Sequence, residues 1–366
     1  MKYYFAGAVQ TTRGCPSDCE SREGLEGMLY GHRLRQKPIL SVLEEVAELS
    51  RLGFGHIFFT DDNFIANPQY TKQLLDKLAK KNRTKSLEKP IRFSAQAEID
   101  VAKDEEMLQL LAEANFLSLF MEIEIPKGEW EKVLHLSFGE TDKYHSAKKD
   151  LIADCKKVMS YGLLIRAGFV VGFDHHTPET FDELFDFVKE ANIPFPSPSM
   201  LRVAPGTKLW RRLKREGRVL SIDEESIYVR RMSTTNIIPK QMTRIQLMSG
   251  YMNLIERLAD WDNFVERLKG FLSDIDYDSY KMPRQKYWKQ KDIDDAMRAL
   301  LAFVDDDARR AIGSLLKYAS EHAPFMLERV LSIVAQGYGY VAFAQSLREN
   351  IRKQIQLEKS MDMENQ

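Results

Sequence analysis

Short apolar runs alternate with longer amphipathic segments from residue 7 to about residue 215. Each apolar run ends near Gly, Asp, Asn or Pro, and the segment after it carries apolar residues at helical spacing. Parallel strands need long crossovers, which are usually helices, so this alternation predicts βα units. It restricts this part of the chain to an α/β fold with a parallel sheet.

The alternation predicts six strands and at least five crossover helices. The strands are GAVQTT (7–12), HIFFT (56–60), IRFSAQ (91–96), LSLFMEIE (117–124), RAGFVVGF (166–173) and SMLRVA (199–204). The helices are expected within residues 38–54, 70–82, 104–116, 150–162 and 179–192. Six such units make three quarters of an eight-fold barrel, whose ligands bind at the carboxyl ends of the strands. We predict a partial (β/α)6 TIM-like barrel followed by a mostly α-helical C-terminal extension.

Strand-like runs stop after EGRVL, which ends at residue 220. We therefore predict a barrel domain at residues 1–220 and a helical extension at residues 221–366. The extension is expected to contain a helix pair within 246–275, a basic connector at 281–290 and about three helices within 291–357. The last residues, from 358, are expected to fray.

The overall composition excludes several classes of partner. The chain has 53 basic and 54 acidic residues, so no net field attracts nucleic acid or an anionic membrane. Three cysteines in 366 residues cannot form a disulfide framework and suit a reducing compartment. No apolar run is long enough to span a bilayer. We expect a cytoplasmic protein.

The stretch TTRGCPSDCESREG (11–24) places Cys15 and Cys19 directly after the first predicted strand. Cysteines four apart are often only neighbours on a helical turn. A cubane iron–sulfur cluster that keeps one iron open instead needs three thiolates from a tight loop. The position after a barrel strand favours the cluster loop, although Arg22 occupies the place of the third cysteine.

The run TTRGCPSDCE, followed in order by IFFTDDNF, FSAQAEID, MEIEIP, AGFVVGFD and APGTKLW, resembles the radical SAM superfamily. The resemblance covers residues 8–220 and is to the branch that usually carries a cobalamin-binding domain before the barrel. It implies a 4Fe–4S cluster held by Cys15 and Cys19, with S-adenosylmethionine on the open iron. It further implies a 5′-deoxyadenosyl radical, an unknown small-molecule substrate and an electron donor protein.

The resemblance also assigns positions for S-adenosylmethionine at the ends of the predicted strands. They are Asp61, Asp62 and Asn63 at its amino group, Gln96, Glu98 and Glu124 near its ribose, Gly168 and Gly172 beside its adenine or methionine moiety, and Ala204 and Pro205 at the border of its adenine. The first three sets have a structural alternative. The first fits an Asx turn or a helix cap, the acidic residues fit salt bridges, and the glycines fit tight packing.

The chain departs from the pattern of the superfamily at three points. Arg22 cannot bind iron, because a guanidinium is a cation without a free lone pair. Other candidates for the third ligand are Glu20, Ser21, Glu23 and His32. Glu122 stands where relatives usually have glycine and is expected to crowd the pocket. The chain begins at the first strand, so the cobalamin-binding domain is not expected and cobalamin is not supported.

Two alternatives stay open beside a radical SAM enzyme. The first is a degenerate barrel that has lost its cluster and serves as a binding or partner protein, or is the product of a disrupted gene. The second is a hydrolase with a divalent metal at Asp174, His175 and His176, which we disfavour because adjacent histidines point in different directions. Of the remaining features, Cys155 is expected in the core, and the basic cluster around Trp210 is expected to be a solvated helix face, with a phosphate contact as the alternative.

Overall fold

The structure is a computed structural model that describes residues 6–14, 33–83, 91–123, 151–220, 232–278, 280, 282, 290–302 and 304–364. The strands are β1 (Gly7–Val9), β2 (Thr12–Arg13), β3 (Arg35–Gln36), β4 (His56–Phe59), β5 (Arg92–Gln96), β6 (Phe116–Glu122), β7 (Leu164–Val171) and β8 (Phe195–Met200). Within the described residues, one six-stranded sheet has the order β1-β4-β5-β6-β7-β8, and every neighbouring pair is parallel. The predicted partial barrel is confirmed.

The crossover helices lie where the periodicity places them. The helices are α1 (Ile39–Arg51), α2 (Pro68–Arg83), α3 (Glu105–Glu113), α4 (Leu151–Ser160), α5 (Thr180–Glu190), α6 (Lys208–Arg215), α7 (Arg244–Ala259), α8 (Trp261–Asp274), α9 (Gln290–Ala302), α10 (Asp306–His322) and α11 (Leu327–Glu364). The predicted helix pair is α7 and α8, and the three later helices are α9 to α11. The last helix continues to Glu364, so the tail that was expected to fray is helical through that residue.

A layer of aromatic rings packs between the sheet and its helices. Phe59, Phe93 and Phe116 lie on adjacent strands, are fully buried, and have ring centroids 5.4–5.8 Å apart. Side chains alternate between the two faces of a strand, so every second residue of these strands joins this layer. Burial of each ring contributes about 2–3 kcal/mol, which fixes the register of the sheet.

The predicted bounds of the first and last strands were wrong. β1 ends at Val9, and Thr12 begins a separate two-stranded ribbon of β2 and β3. The sixth strand of the main sheet is Phe195–Met200 rather than residues 199–204, because Pro196 and Pro198 did not suggest a strand. β8 lies at the edge of the sheet, where alternate residues turn their backbone N–H away from the neighbouring strand and proline is tolerated.

The helical extension covers the β8 edge of the sheet. The Tyr251 hydroxyl of α7 is fully buried and donates to the Pro198 carbonyl at 3.0 Å. Helix α11 packs along α7, and a salt bridge of 2.5 Å joins Arg244 to Glu358. The edge strand, which would otherwise expose unpaired backbone groups, is therefore covered by helices.

Helix α11 crosses the amino-terminal ends of four strands in turn. Its contacts are Glu328 with Arg92 of β5, Arg329 with the carbonyls of Leu117 and Gly162, Gln336 with Arg166 of β7, and Tyr340 with the ring of Phe195 in β8. This helix closes the end of the barrel opposite the predicted site.

Every strand of the main sheet precedes residue 220, while the domain boundary proposed there stays a prediction. Across the described ranges, no helix has an apolar stretch sufficient to cross a bilayer.

Candidate cofactor and cluster site

The carboxyl ends of the parallel strands bring most of the predicted site residues to one edge of the sheet. The described members at or just beyond strand ends are Asp61, Asp62, Asn63, Gln96, Glu98, Gly172, Ala204 and Pro205, and Gly168 lies within β7. Cys15, Cys19 and Glu124 lie outside the described residues, as do Arg22 and the other candidates for the third cluster ligand.

Asp61 is buried, with 2% of its surface exposed, and it binds the chain just before the cysteines. Its Oδ1 accepts from the Thr11 amide at 3.0 Å, the Thr11 hydroxyl at 2.9 Å, the Thr12 hydroxyl at 2.6 Å and the Thr12 amide. Its Oδ2 also accepts from the Thr11 amide, at 3.2 Å. Hydrogen bonds to a carboxylate are the stronger kind, so Asp61 fixes the point where residues 11–14 leave the sheet.

The ribbon of β2 and β3 pairs residues 12–13 with residues 35–36, which precede and follow residues 15–32 in the sequence. Thr12 pairs with Gln36, and the Lys37 amide donates to the Thr11 carbonyl at 2.8 Å. Tyr70 of α2 then donates its hydroxyl to the Lys37 carbonyl at 2.7 Å. Burial and the negative charge of Asp61 raise the Tyr70 pKa to about 12, so the hydroxyl keeps its proton at neutral pH. Both ends of the segment with Cys15 and Cys19 are thus held beside the end of β1.

Asn63 forms an Asx turn, which is the structural alternative given above for residues 61–63. Its side-chain oxygen accepts from the Ile65 amide at 3.2 Å. The Phe64 amide donates to the Gln96 carbonyl at 2.9 Å, which ties this turn to the end of β5. Asp62 is half-buried beside it. The assignment of these residues to the cofactor's amino group stays a prediction.

Gln96 and Glu122 lie on the face of the sheet opposite the aromatic layer. Gln96 pairs in register with Phe120, and Glu122 pairs with Gly168. Glu98 follows β5 and immediately precedes a short 3-10 helix, Ile99–Lys103. All three polar side chains are half-buried. The strand register places Gln96 and Glu122 on the interior face of the barrel.

The two predicted glycines both have close packing neighbours. A Cβ on Gly168 would lie 3.0 Å from the Phe120 ring and 3.6 Å from Cγ of Glu122. This proximity agrees with the expected crowding by Glu122. Gly172 has a φ of 108°, and a Cβ there would lie 3.1 Å from a Leu247 methyl of α7. Packing alone therefore accounts for glycine at both positions, and cofactor contact remains a prediction.

Ala204 and Pro205 begin the turn into α6. Thr207 caps this helix, because its hydroxyl oxygen accepts from the Trp210 amide at 3.0 Å while the hydroxyl donates to the Ala204 carbonyl at 2.9 Å. Asn236 holds the preceding residue, Val203, with paired hydrogen bonds of 3.0 and 2.8 Å. The loop after β8 is thus rigidly placed at the carboxyl edge.

The structure does not favour a metal at Asp174, His175 and His176. Asp174 forms salt bridges with Arg212 at 2.6 Å and Arg218 at 2.5 Å. Burial alone would raise the Asp174 pKa, but hydrogen bonds from these arginines outweigh it and hold the pKa low. The His176 Nδ1 accepts from the Gly172 amide at 3.0 Å. Over the described ranges, no group of three or more metal-ligating side chains is assembled.

The two remaining sequence features lie as expected. Cys155 is fully buried in α4, and burial raises the pKa of its thiol. In α6 the Lys214 ammonium lies 4.5 Å from the Trp210 ring centroid, on an otherwise exposed basic face. The phosphate contact considered for this face stays untested.

The sequence analysis missed Thr11, Thr12 and Arg166. The threonines lie three and four residues before Cys15, but their partner Asp61 is 49 to 50 residues away, and a single sequence shows no such pairing. Arg166 did carry a signal, because it is a charge inside the apolar run LLIRAGFVV.

The side chains of this segment supply only part of the ligand set that an iron–sulfur cluster needs. Cys15 and Cys19 supply thiolates for two irons, whereas the guanidinium of Arg22 supplies no ligand. The described residues place the base of the cysteine segment at the edge where the predicted S-adenosylmethionine residues gather. A third iron therefore requires a ligand other than cysteine at position 22.

Comparison with known proteins identifies relatives for both parts of the chain. Residues 207–353 match a family described as "Domain of unknown function (DUF4070)". An uncharacterised methyltransferase of Synechocystis is 35% identical over 64% of this chain and 42% of its own length. The hopanoid C-2 methylase of Rhodopseudomonas palustris is 32% identical over 60% of this chain and 40% of its own length. The chain spans less than half the length of these relatives.

Two solved structures share the fold. The radical S-adenosylmethionine methyltransferase TsrM from Kitasatospora setae has a TM-score of 0.50, with 22% identity, over 59% of this chain and 41% of its own. The cobalamin-dependent S-adenosylmethionine radical enzyme OxsB has a TM-score of 0.50, with 13% identity, over 98% of this chain and 55% of its own.

An open parallel barrel with its polar residues at the carboxyl edge defines a class of α/β proteins that bind ligands at that edge. The particular similarity is by sequence to proteins named as methyltransferases or methylases, and by fold to solved radical S-adenosylmethionine enzymes.

Proposed function

We propose that this chain forms the barrel of a radical SAM enzyme that binds an iron–sulfur cluster through Cys15 and Cys19. The observation that carries the proposal is the anchoring of the cysteine segment. Asp61 and the β2–β3 ribbon hold both of its ends at the carboxyl edge of β1.

When bound, the cluster and S-adenosylmethionine would supply a 5′-deoxyadenosyl radical that takes a hydrogen atom from an organic substrate. The chain's own residues would position and shield this chemistry. Asp62 and Gln96 lie where polar groups of S-adenosylmethionine would be recognised, and the turn at Ala204 and Pro205 would border its adenine. The third ligand would come from Glu20, Ser21, Glu23 or His32, or one iron would have no protein ligand.

Methyl transfer is the reaction class that the relatives support. Both curated relatives described above carry methyltransferase or methylase names, and they match this chain at 32–35% identity. We extend the proposal to transfer of a methyl group to an organic substrate, with electrons from a separate donor protein. The hopanoid substrate belongs to the relative, and we do not assign it to this chain.

The test is anaerobic reconstitution with iron and sulfide of the natural protein, an Arg22→Cys variant and a Cys15→Ser/Cys19→Ser double variant. Iron content, electron paramagnetic resonance of the reduced state, and release of deoxyadenosine and S-adenosylhomocysteine would be measured. We expect the natural protein to bind a cluster and release deoxyadenosine, and the double variant to do neither. S-adenosylhomocysteine from the natural protein would support methyl transfer.

Arg22 favours a second candidate, a barrel that no longer catalyses and instead binds a ligand or partner. The crowding of Gly168 by Phe120 and Glu122 is in keeping with it. If only the Arg22→Cys variant binds a cluster, this second candidate is correct and the proposed enzyme activity is rejected for the natural chain.

A further inference from the structure

The barrel interior carries a cluster of basic side chains that the proposed chemistry does not use. His56 and Arg92 are directly paired across β4 and β5, and Ser94 lies two residues further along the same face. Gln96, on that face, is in register with Phe120, which is in register with Arg166 of β7. Paired residues of neighbouring strands share one face, so all these side chains face the barrel interior, opposite the aromatic layer.

Arg166 is a largely buried cation that contacts neutral groups. Its guanidinium donates to the side-chain oxygen of Gln336 and lies 4.4 Å from the centroid of the Phe195 ring. Within the described residues, no carboxylate forms a salt bridge with Arg166. Arg92 differs, because Glu328 of α11 lies 3.3 Å from it. Burial lowers the pKa of Arg166, as expected for a charge that lacks a counter-ion.

His56 does not offset this positive charge. Its Nε2 is 2.9 Å from the Ser94 hydroxyl. Burial, and then the charges of Arg92 and Arg166, lower its pKa to about 4. His56 is therefore neutral at pH 7. Among the described residues, the positive charge of Arg166 is thus offset neither by His56 nor by a carboxylate.

Apolar side chains surround this charge on the same face of the sheet. Phe58, Phe120 and Val170 are each half-buried, whereas the residues that alternate with them are buried in the helical layer. Partly accessible apolar groups beside a buried cation suit a molecule with an apolar body and an anionic end.

We propose that His56, Arg92 and Arg166 form a site for an oxyanion, a carboxylate or a phosphate ester, at one end of an apolar substrate. The assignment as a substrate site rests on the proposed function. Arg92 and Arg166 lie at the end of the barrel that α11 covers, so the anionic end of the substrate would lie deep in the barrel. The apolar body would extend along the same face towards Gly168 and Glu122, in the predicted cofactor region. The oxyanion would supply the counter-ion that Arg166 lacks and make charge-assisted hydrogen bonds. The competing explanation is that Arg166 serves only to attach α11 through Gln336.

The experiment measures binding of octyl phosphate, octanoate and octanol by isothermal titration calorimetry, to the protein with and without reconstituted cluster. The variants are Arg166→Gln, Gln336→Glu and, as a matched control, Arg298→Gln on the exposed face of α9. Gln336→Glu places a carboxylate beside Arg166 and keeps the contact with α11. It therefore gives Arg166 a counter-ion within the protein without removing the helix attachment.

We expect octyl phosphate or octanoate to bind at least about tenfold more tightly than octanol, as one charge-assisted hydrogen bond would give. The tighter of the two identifies the oxyanion. Arg166→Gln and Gln336→Glu should each weaken the binding of that anion about tenfold or more. The Gln336→Glu variant should be at least as heat-stable as the natural protein. Arg298→Gln should change nothing.

The proposal is overturned if octanol binds as tightly as the anions, or if Gln336→Glu is folded and binds them like the natural protein. If the anions do not bind as expected but the protein still releases deoxyadenosine, the anion site is rejected and the proposed enzyme class is retained. Anion binding without deoxyadenosine release would instead place the site in a non-catalytic barrel.

Discussion

Replacing Asp61 by Asn tests whether this carboxylate holds the base of the cysteine segment. Oδ1 of Asp61 accepts from two amides and two hydroxyls of Thr11 and Thr12. The hydroxyls can rotate to other acceptors, but the two backbone amides cannot. Loss of the negative charge weakens each of these two bonds by about 1 kcal/mol, so we expect Asp61→Asn to destabilise this region by about 2 kcal/mol.

Asp61→Ala is expected to have a larger effect. It removes the acceptor altogether and leaves two buried amides without a partner, at a cost of about 1–3 kcal/mol each. The matched control is Asp62→Asn, which changes the same charge at the next residue. Asp62 is half-buried, so we expect the control to stay within about 0.5 kcal/mol of the natural protein.

Hydrogen exchange of residues 6–14 measures this effect directly, since local opening exposes the amides of Thr11 and Thr12. About 2 kcal/mol corresponds to an increase in their exchange rate of roughly thirtyfold. Urea unfolding would report the global part of the loss. Equal exchange at these amides in Asp61→Asn and Asp62→Asn would refute the reasoning, because the carboxylate would then not fix the segment.

Three further predictions concern the rest of the barrel. The free energy of unfolding, measured with urea, should be unaffected by His56 above pH 6.5 and should fall by up to about 3 kcal/mol as the pH is lowered towards 4. The reason is that the unfolded state binds the His56 proton at higher pH than the folded state does. A His56→Asn variant should lack this part of the pH dependence. Tyr251→Phe should lower the free energy of unfolding by about 1–2 kcal/mol, because the Pro198 carbonyl loses its buried donor. Gly172→Ala should lower the melting temperature, with a loss of about 1–2 kcal/mol, since alanine disfavours a φ of 108° and its methyl would press on Leu247.

The hydrophobic pattern was enough to predict the elements of the barrel but not the limits of its end strands. Strands such as β6 and β7 are mostly apolar, have neighbours on both sides and end at a polar residue or before Gly, so the sequence pattern was enough to predict them. β8 contains two prolines, and it forms a strand because it lies at an edge that α7 covers. That coverage is a tertiary contact, and strand propensity contains no information about it.

The same limit applies to the candidate site. The motifs placed Asp61, Gln96 and Gly172 at the carboxyl edge because strand ends are visible in the sequence. The partner of Asp61 is not visible, since it depends on how β2 and β3 fold back over the end of β1. Leu247 of α7 packs beside Gly172, a contact that the sequence did not predict, while the expected cofactor contact of Gly172 stays a prediction. Long-range packing thus gives these residues structural duties that local patterns do not contain.

The extension contributes to the interior of the barrel as well as to its surface. One continuous cluster of buried apolar residues runs from Val9 in β1 to Ile355 in α11. The 38 residues of α11 extend about 57 Å, enough to cross the ends of several strands and continue along α7. Because Gln336 is the polar partner of Arg166, a substitution in the extension acts on a charge inside the barrel. Any change in the α11 sequence should therefore be judged by its effect on ligand binding as well as on stability.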